Sequence, residues 1–472
     1  MRNNLATLVA AAALVATGAP QPSTRAQSTG RATVIDTLGA DPAIRARIAD
    51  ARQAAPRVRE DIAAGQVVVK VADTMGLDAL AALAADHGVE RVRPVRHGDF
   101  FVLSIDPASD PVTVARDLAS TPGVLYAEPV GRVWPLFRPN DPLFQYQWNL
   151  AQLELERVWS INEGGPGRVV VAVIDGGVAY TSTGASYQQA PDLAGTTFVP
   201  GFDFIWDDDT PIDLSGHGTH VTGTIAQSTN NGVGAAGIAF NARVMPIKAI
   251  SDEVDDFFGA PNVGTMAVVA QAVRFAAENG AKVINMSLGG YVPSTALRDA
   301  LQFAVDRGAV VVVAAGNDGE AGNPVNYPAA YAKDMEGVIA VGASTLGQTR
   351  APYSNANDYV EVVAPGGDIS KDDNRDGFED GIVQQTVDFD QFLLTGRFTA
   401  FKYDWFEGTS MAAPHVAGLA VLLIDQGITD PRAVEAAIKR FAVDLGPGGR
   451  DNEYGYGLID PRATLRGLGL AR

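Results

Sequence analysis

The sequence predicts an α/β protein whose larger part is a doubly wound, mostly parallel sheet, preceded by a small α+β domain. In the larger part, apolar runs with hardly any charge alternate with longer helical segments, as expected for strands buried on both faces of a parallel sheet. The N-terminal part is richer in Arg and alternates short strands with Ala-rich helical stretches. Between the two, residues 134–142 contain three prolines in nine residues, which is typical of a linker.

The individual elements follow from hydrophobic periodicity, taken in chain order. In the N-terminal part, strands are predicted at residues 66–71, 89–95, 100–105 and 124–127, and helices at 77–87 and 111–120. In the larger part, strands are predicted at 169–174, 243–247, 282–286, 309–314, 338–341 and 360–363, and helices at 263–279 and 294–307.

The composition excludes several classes of function. The chain has 472 residues, 36 Lys and Arg against 55 Asp and Glu, and a formal net charge of −19. A nucleic-acid partner is therefore not expected, because phosphate binding depends on clustered basic side chains. The lack of cysteine excludes disulfides, thiolate zinc sites and a Cys nucleophile. Any metal must be held by oxygen ligands or histidine.

Residues 1–26 are predicted to form a secretory signal peptide. Arg2 precedes an apolar run over residues 5–19, and small residues surround Ala26, near which we expect cleavage. The run is shorter than the roughly 20 apolar residues that a membrane-spanning helix needs. We expect export to the cell exterior or the periplasm, with no membrane association once the signal is removed.

Two motifs of the larger part carry polar groups at the ends of predicted elements. One places a carboxylate at the carboxyl end of a strand, and the other places an imidazole at the start of a helix. Asp175 ends the strand predicted at 169–174, although an Asp there is also a common turn former or helix cap. His217 begins a run of small and β-branched residues typical of a closely packed helix. His220 lies three residues further on, which also invites a metal site, but we assign His220 to packing.

Two further motifs supply a hydroxyl and an amide. Ser410 begins an apolar helix with a stripe of small residues, where the helix dipole and its own N–H could face a developing oxyanion. An isolated Ser in this position is otherwise an N-cap. Asn317 follows a buried strand, and its side-chain amide could donate a hydrogen bond into the cleft that Ser410 would face. Asn317 also begins the sequence Asn-Asp-Gly, which is common in simple turns.

The four segments, in the order Asp175, His217, Asn317 and Ser410, resemble those of the subtilisin-like serine proteases, the subtilases. The similarity extends over roughly residues 141–465 and includes the segments 284–290, 327–329 and 454–457. It implies a secreted serine endopeptidase that needs no cofactor for catalysis. Ser410 is implied as nucleophile, His217 as general base and acid, Asp175 as the group that orients His217, and Asn317 as an oxyanion donor.

One residue departs from the family pattern. The subtilases usually have Ser or Thr directly after the catalytic Asp, where this chain has Gly176. Because the Asp acts through its carboxylate, we expect little loss of activity, and only a local hydroxyl contact is in doubt.

The resemblance also implies how protein or peptide substrates bind. The substrate backbone would add as a strand beside the segment that starts at Ser287. Two segments would form the walls of the pocket for the residue before the cut, and Asn326 would lie near its floor. Because these segments contain no acidic residue, we predict a preference for large apolar side chains over Lys or Arg. The implied substrate-binding residues are Ser287, Leu288, Gly289, Gly290, Ala314, Gly316 and Asn326.

Residues 27–138 occupy the place of the family's propeptide, which assists folding and inhibits the enzyme until it is cut away. The catalytic domain would then span residues 139–472. We predict a cut after Phe137, which would put an aromatic side chain in the main pocket, whereas Pro139 disfavours a cut after Arg138.

Two groups of oxygen-bearing residues suggest calcium as a structural ion. The first, at positions where the family binds calcium, is Asp141, Asp192 and Asn231; a solvated polar loop is the alternative. The second lies in an insertion over residues 366–407 and begins like an EF-hand loop, with Gly377 in sixth place but Val383 where the full motif has Glu. An acidic surface turn is the alternative here. The residues of this second group are Asp372, Asn374, Asp376 and Asp380.

The sequence supports two alternative functions less well. A catalytically silent binding protein with this fold would lack a triad or oxyanion group, and none is missing. An α/β-hydrolase esterase would have Ser before Asp before His and a GxSxG elbow. Here the order is reversed, and the residues on either side of Ser410 do not form that elbow.

Overall fold

The computed structural model describes residues 62–75, 80, 82, 85, 88–131, 133, 137–165 and 167–467. These residues fall into two compact units, one within Ala54–Pro135 and the other within Leu136–Arg472. The predicted signal peptide and most of the helix predicted at 77–87 lie outside the described residues. Within the part of the chain that is described, no helix is long and apolar enough to cross a membrane.

The N-terminal unit is a four-stranded antiparallel sheet with a helix. Its strands have the order β2-β3-β1-β4. Val67, Val69, Leu103 and Leu118 form its buried core, which confirms the predicted α+β class. The elements are β1 (Ile62–Val71), β2 (Val89–Pro94), β3 (Phe101–Ile105), α1 (Pro111–Ala119) and β4 (Val124–Gly131).

The larger unit is built on a parallel sheet with the strand order β12-β11-β10-β9-β5-β8-β6, and β7 also pairs with β8. Every ladder in it is parallel. The six predicted strands are confirmed, and the last begins at Val362 rather than at residue 360. The strands are β5 (Val170–Asp175), β6 (Thr197–Phe198), β7 (Phe202–Asp203), β8 (Arg243–Lys248), β9 (Val283–Met286), β10 (Val310–Ala314), β11 (Val338–Ser344) and β12 (Val362–Pro365).

Helices cover both faces of this sheet, as the doubly wound prediction requires. The helices of this unit are α2 (Trp148–Gln152), α3 (Leu155–Trp159), α4 (His217–Ala226), α5 (Glu253–Phe257), α6 (Met266–Glu278), α7 (Thr295–Asp306), α8 (Phe389–Thr395), α9 (Thr409–Asp425), α10 (Pro431–Phe441) and α11 (Pro461–Gly467). Val171 and Val173 of β5 pack into a core shared with α4 and α9. Ala172 and Ile174 face the opposite core, which contains α6 and α7. This alternation buries both faces of the strands, so charged residues stand only at strand ends, at Asp175, Asp203, Arg243 and Lys248.

An antiparallel hairpin that the sequence analysis did not find packs against α4. It consists of β13 (Ile382–Val387) and β14 (Phe401–Phe406). Gln384 and Gln385 of β13 are buried, so their polarity hides the strand from a search for apolar runs. Gln384 donates to the Ala236 carbonyl at 3.1 Å, and Gln385 accepts the Asp192 N–H at 2.8 Å.

Helix α4 begins on a buried carboxylate. Asp213 Oδ1 accepts the N–H groups of Ser215 and Gly216, at 3.0 and 2.7 Å. Its Oδ2 accepts the N–H and the hydroxyl of Thr219, at 2.8 and 2.6 Å. The Thr219 N–H lies in the first turn, where a helix has no internal acceptors, and the N–H groups of Ser215 and Gly216 directly precede that turn. Asp213 therefore fixes the start of α4 and the position of His217.

We predict that Asp213→Ala lowers the free energy of unfolding by about 1–2 kcal/mol, the usual effect of removing a capping side chain. Asp213→Asn, which keeps one acceptor oxygen, should lose less. Thermal unfolding followed by circular dichroism measures both, with the exposed Asp209→Ala as control. An Asp213→Ala protein as stable as the control would contradict this role.

Candidate active site

Three strands of the parallel sheet end in polar residues at one edge. Asp175 is the last residue of β5, Ser287 follows β9, and Asn317 lies three residues after β10. Strands β10, β9 and β5 are parallel neighbours. Their carboxyl ends therefore lie side by side, at the edge where α/β proteins bind ligands.

Asp175 and His217 form a hydrogen-bonded pair at this edge. The distance between His217 Nδ1 and Asp175 Oδ1 is 2.8 Å. The Asp175 side chain is 1% exposed and that of His217 is 36% exposed, so the ring covers the carboxylate and remains accessible. Gly218 allows this approach, because a Cβ there would collide with the Gly177 carbonyl.

The environment of His217 favours its charged form. Burial lowers the pKa of the ring, but the charge of Asp175, the hydrogen bond to it and the charge of Asp213 outweigh this, and the pKa is raised above 6.5. Burial lowers the pKa of His220 to about 3 and that of His415 to about 4. His220 stacks on Phe406 with ring centroids 4.3 Å apart, in agreement with its predicted packing role.

Ser410 is the second residue of α9, which packs against α4. Two hydrogen bonds tie it to the end of β9: Ser287 Oγ donates to the Ser410 carbonyl at 2.8 Å, and Ser410 Oγ donates to the Ser287 carbonyl at 3.3 Å. The hydroxyl of Ser410 thus points toward β9 rather than bonding to His217.

Asn317 has a fixed amide orientation. Its Oδ1 accepts both the N–H and the hydroxyl of Thr409, at 2.9 and 2.8 Å. The Nδ2 group is consequently turned toward the Gly408 backbone, where it would lie 3.3 Å from a Cβ. The amide donor therefore lies beside the start of α9, next to Ser410.

The residues of the predicted substrate pocket also come together. The side chain of Asn326 lies between Gly289 and Gly316, since a Cβ on either glycine would meet its atoms. Asn326 is 5% exposed. Gly290 pairs with Tyr327 through two backbone hydrogen bonds of 2.8 and 2.7 Å. The segments predicted as walls of the substrate pocket thus contact its predicted floor, Asn326, whose side chain is an amide rather than a carboxylate. Ser287, Leu288 and Ala314 lie in the same strand-end segments.

Sequence reasoning missed two residues that hold this site. Asp213 accepts N–H groups at the start of α4, but it lies four residues before His217 and the N-cap is Gly216, so the usual capping pattern does not reveal it. Thr409 fixes the amide of Asn317, a pairing of residues distant in sequence that no local pattern reveals. At the departure from the family pattern, Gly176 N–H donates to Asp175 Oδ1 at 2.7 Å, and no hydrogen bond from a described residue reaches Asp175 Oδ2.

The three residues of the first candidate calcium site meet. Asn231 Nδ2 donates to Asp192 Oδ1 at 2.9 Å, and its backbone N–H donates to Asp141 Oδ1 at 3.2 Å. Burial raises the pKa of Asp141, and that of Asp192 to about 6. Within the described residues, no three acidic or histidine side chains converge as metal ligands do.

The second candidate group forms a compact loop. Asp372 accepts the N–H groups of Asp376 and Gly377, at 3.1 and 3.2 Å. Asn374 Nδ2 donates to Asp376 Oδ2 at 3.0 Å. Burial, and then neighbouring carboxylates, raise the pKa of Asp376 and of Asp380 to about 6.

Phe137, the residue predicted to precede the propeptide cut, does not lie in the pocket around Asn326. Its ring lies 5.7 Å from both Trp159 and Phe240, centroid to centroid, and packs against the core of the larger unit. Cleavage after Phe137 would require this ring to leave those contacts.

Comparison with known proteins identifies the family of the chain. Residues 167–457 match the model of the subtilase family, and residues 49–129 match that of the fervidolysin N-terminal prodomain. The chain is 37% identical over 343 residues to "Thermophilic serine proteinase" of Bacillus sp. (strain AK1), covering 72% of this chain and 73% of that protein. It is 34% identical to "Thermitase" of Thermoactinomyces vulgaris, covering 67% of this chain and 98% of that protein.

A solved structure extends the likeness. Fervidolysin from Fervidobacterium pennivorans, described as a keratinolytic enzyme related to subtilisin, matches with a TM-score of 0.56 and 25% identity, over 87% of this chain and 62% of its own. Relatives from Natrialba magadii and Xanthomonas campestris are named as extracellular proteases. The chain therefore belongs to the subtilase family and is a serine endopeptidase with a prodomain ahead of its catalytic domain.

Proposed function

We propose that the protein is an exported, self-processing endopeptidase that cuts polypeptides with Asp175, His217 and Ser410. The observation that carries this is the 2.8 Å hydrogen bond between Asp175 and His217, formed where α4 packs against α9, whose second residue is Ser410. A buried carboxylate bonded to Nδ1 fixes the tautomer in which Nε2 accepts a proton.

In the proposed reaction, Ser410 Oγ turns to His217 and gives up its proton to Nε2 as it attacks the scissile carbonyl carbon. The protonated ring then donates that proton to the leaving amine as the C–N bond breaks, and an acyl-enzyme remains on Ser410. A water molecule, deprotonated by His217, hydrolyses the ester and restores both residues. No cofactor takes part, as in other subtilases.

Two donors stabilise the oxyanion in this mechanism. The Asn317 Nδ2 group is turned to the required side by the two hydrogen bonds from Thr409. The N–H of Ser410 lies in the first turn of α9, where it has no partner within the helix. Loss of one such donor lowers turnover by roughly 10² to 10³.

The site prefers a large apolar residue before the cut. The proposed pocket lies between the segment Ser287–Gly290 and the strand end at Ala314 and Gly316. Its floor is the neutral amide of Asn326. A cationic side chain in this pocket would be buried without a counter-charge, which is costly.

Residues 27–138 act as the propeptide, and residues 1–26 direct export. The match of residues 49–129 to a prodomain family supports the first assignment, and the names of extracellular relatives support the second. The free tail of the cut propeptide would remain as an inhibitor until it is degraded. Phe137 is the residue we assign to the cut, with the catalytic domain over residues 139–472.

Calcium stabilises the catalytic domain at Asp141, Asp192 and Asn231. These side chains offer two carboxylates and an amide oxygen, the hard ligands that calcium prefers. Their fit is supported by the buried position of both carboxylates, 4% and 0% exposed, since a cation offsets the cost of burying them. The ion would fasten the start of the catalytic domain to the loop that contains Asn231.

We predict that Ser410→Ala abolishes processing and proteolysis. The wild-type chain should lose its first 137 residues or so and digest casein, whereas Ser410→Ala should keep its propeptide, because no other hydroxyl occupies that position. Mass spectrometry and casein hydrolysis measure both, with Ser215→Ala, a nearby hydroxyl outside the proposed triad, as control. Equal processing and activity in Ser410→Ala and wild type would refute the nucleophile assignment.

We predict that Asp175→Asn moves the pH profile as well as lowering the rate. His217 must be neutral to act as base, so wild-type kcat/KM should fall as the pH drops through its raised pKa, above 6.5. Without the Asp175 charge, the pKa of His217 falls, the acid limb moves to lower pH, and kcat falls by about 10⁴. Stopped assays from pH 5 to 9 measure this, with exposed Asp209→Asn as control. An unmoved acid limb would contradict the pairing.

We predict that peptide anilides with Phe before the cut are hydrolysed at least about tenfold faster, in kcat/KM, than those with Arg. Asn326→Asp should narrow that ratio, because it adds a carboxylate to the pocket without changing its size. Gln271→Glu, the same chemical change on the exposed face of α6, is the matched control. If Asn326→Asp leaves the ratio at the control value, Asn326 does not line the pocket.

A further inference from the structure

Tyr291 is a large side chain at the surface, beside the proposed substrate pocket. It directly follows Gly290, the last residue of one predicted pocket wall. The residue is 60% exposed, so its ring belongs to none of the hydrophobic cores. Exposed tyrosines are frequent at binding surfaces, because a rigid ring offers a large contact area together with a polar tip. Neither the proposed triad nor the pocket floor at Asn326 accounts for this ring.

The backbone pairing next to Tyr291 determines on which side of the pocket its side chain lies. Gly290 and Tyr327 are antiparallel partners, joined by two backbone hydrogen bonds of 2.8 and 2.7 Å. One residue further along this register, Tyr291 stands opposite Asn326, and opposite residues of an antiparallel pair project from the same face. The Asn326 side chain lies in the proposed pocket. Tyr291 is therefore directed to the pocket side as well.

A hydrogen bond carries the Tyr291 ring across to the other pocket wall. The Tyr291 hydroxyl donates to Asp318 Oδ2 at 2.9 Å. Asp318 comes two residues after Gly316, which belongs to the second wall, and directly after Asn317, the proposed oxyanion donor. The ring thus bridges the ends of the two walls, while the amide of Asn326 lies between them.

The two partners in this bridge are held to different degrees. The Asp318 N–H donates to Asn355 Oδ1 at 2.8 Å, and the Asp318 carbonyl accepts the N–H groups of Ala321 and Asn323, both at 2.9 Å. Apart from the bond to Asp318, no hydrogen bond or ring contact with a described residue holds the Tyr291 side chain. Asp318 is therefore the fixed anchor, and the Tyr291 ring is the part that can move.

The bridge forms at neutral pH and can open. The hydrogen bond to Asp318, and then the charge of that carboxylate, raise the pKa of the Tyr291 phenol, so the phenol keeps the proton that it donates. Water can replace either partner, because the Tyr291 side chain is exposed and Asp318 is only half-buried. Opening the bond therefore leaves no buried polar group without a partner.

A ring in this position would contact the substrate side chain that enters the pocket. An aromatic side chain such as Phe would gain a ring–ring contact in addition to the burial of its apolar surface. The side chain of Ala, a single methyl group, would offer the ring little surface. A ring above the pocket therefore discriminates substrates by the size of the residue before the cut.

We propose that Tyr291 is a specificity-determining residue that closes over the side chain bound in the pocket, and that its hydrogen bond to Asp318 holds it closed. The proposal rests on the proposed function, because it assigns a further contact to the same pocket. It adds to the floor at Asn326 a cover that grows from one wall and is fastened to the other. The substrates it favours are polypeptides with an aromatic or large aliphatic residue before the cut.

Peptide anilides that differ only in the residue before the cut, Phe or Ala, test this in the active enzyme. Tyr291→Ala should lower kcat/KM for the Phe anilide by about tenfold, chiefly through a higher KM, because it removes a contact made equally in the bound substrate and the transition state. The value for the Ala anilide should change by less than about twofold, since the methyl group makes little of this contact.

Val292→Ala is the matched control. Val292 is the next residue, it is 69% exposed, and successive side chains of an extended segment project from opposite faces. The control should keep the wild-type ratio of kcat/KM between the Phe and Ala anilides. Both variants change exposed residues and should fold normally, which circular dichroism checks. If Tyr291→Ala keeps the same ratio as Val292→Ala, Tyr291 does not cover the pocket.

A double-mutant cycle tests the hydrogen bond itself. Tyr291→Phe keeps the ring and removes the hydroxyl, whereas Asp318→Ala removes the acceptor. Each should lower the Phe-to-Ala ratio by less than Tyr291→Ala does, and the two together should lower it no further than either alone, because they remove the same bond. Additive effects would show that this bond does not hold the ring closed.

These outcomes are separate from a failure of the proposed function. Proteolysis by Ser410→Ala would overturn the proposed nucleophile, and a wild-type preference for Arg over Phe anilides would overturn the proposed preference for apolar residues. Either result leaves the comparison of Tyr291→Ala with Val292→Ala decisive, because that comparison uses two uncharged substrates and the same catalytic residues.

Discussion

A carboxylate buried at the end of a parallel strand is the constraint around which the catalytic unit is arranged. Asp175 is 1% exposed, and an ionised carboxylate in such a place is stable only with charged partners and hydrogen bonds. Oδ1 receives them from the Gly176 N–H and from His217. His217 therefore supplies one of the two hydrogen bonds that stabilise the buried carboxylate of Asp175. Displacing the ring would leave the buried carboxylate without one of these two hydrogen bonds.

Three separate elements hold His217 against Asp175. Asp213 caps α4 from the preceding loop, Gly218 lets the helix approach the β5 strand, and Thr386 holds the Gly216 carbonyl from the hairpin. Ser410 is held equally, through Ser287 at the end of β9 and through the contacts of Thr409 with Asn317. Residues far apart in sequence thus become neighbours because each is anchored to its own strand end. Such multiple anchoring is what a preorganised site needs.

The parts of the fold that obey a local rule could be predicted from sequence. Strands such as β5 and β10 are apolar on both faces, so their runs identify them, and the motif residues fall at their ends. The hairpin was not predicted, because Gln384 and Gln385 are polar residues that are buried through hydrogen bonds to distant backbone atoms. Hydrophobic periodicity does not reveal such residues. The fixed orientation of the Asn317 side chain was not predicted either, since it depends on hydrogen bonds from Thr409, which is distant in sequence. The packing of Phe137 beside Trp159 could not be foreseen either, because its ring partners come from distant segments.

The insertion before β13 is joined by hydrogen bonds to both segments that carry the proposed nucleophile and base. It begins after β12 ends at Pro365, at the same edge of the sheet as Asp175. Asp368 and Asp380 pair across its base, with the Asp368 N–H donating to the Asp380 carbonyl at 2.9 Å. Because the base closes, the residues between them form a loop of their own and leave the register of the hairpin unchanged. The insertion reaches the residues before α9 through Gly366, through Ile369 and through the Tyr353 hydroxyl, which donates to the Gly367 carbonyl and accepts the Gly408 N–H. It reaches α4 through Thr386 of β13. The insertion is therefore joined to the supports of the proposed catalytic residues and contributes none of the three residues of the proposed triad.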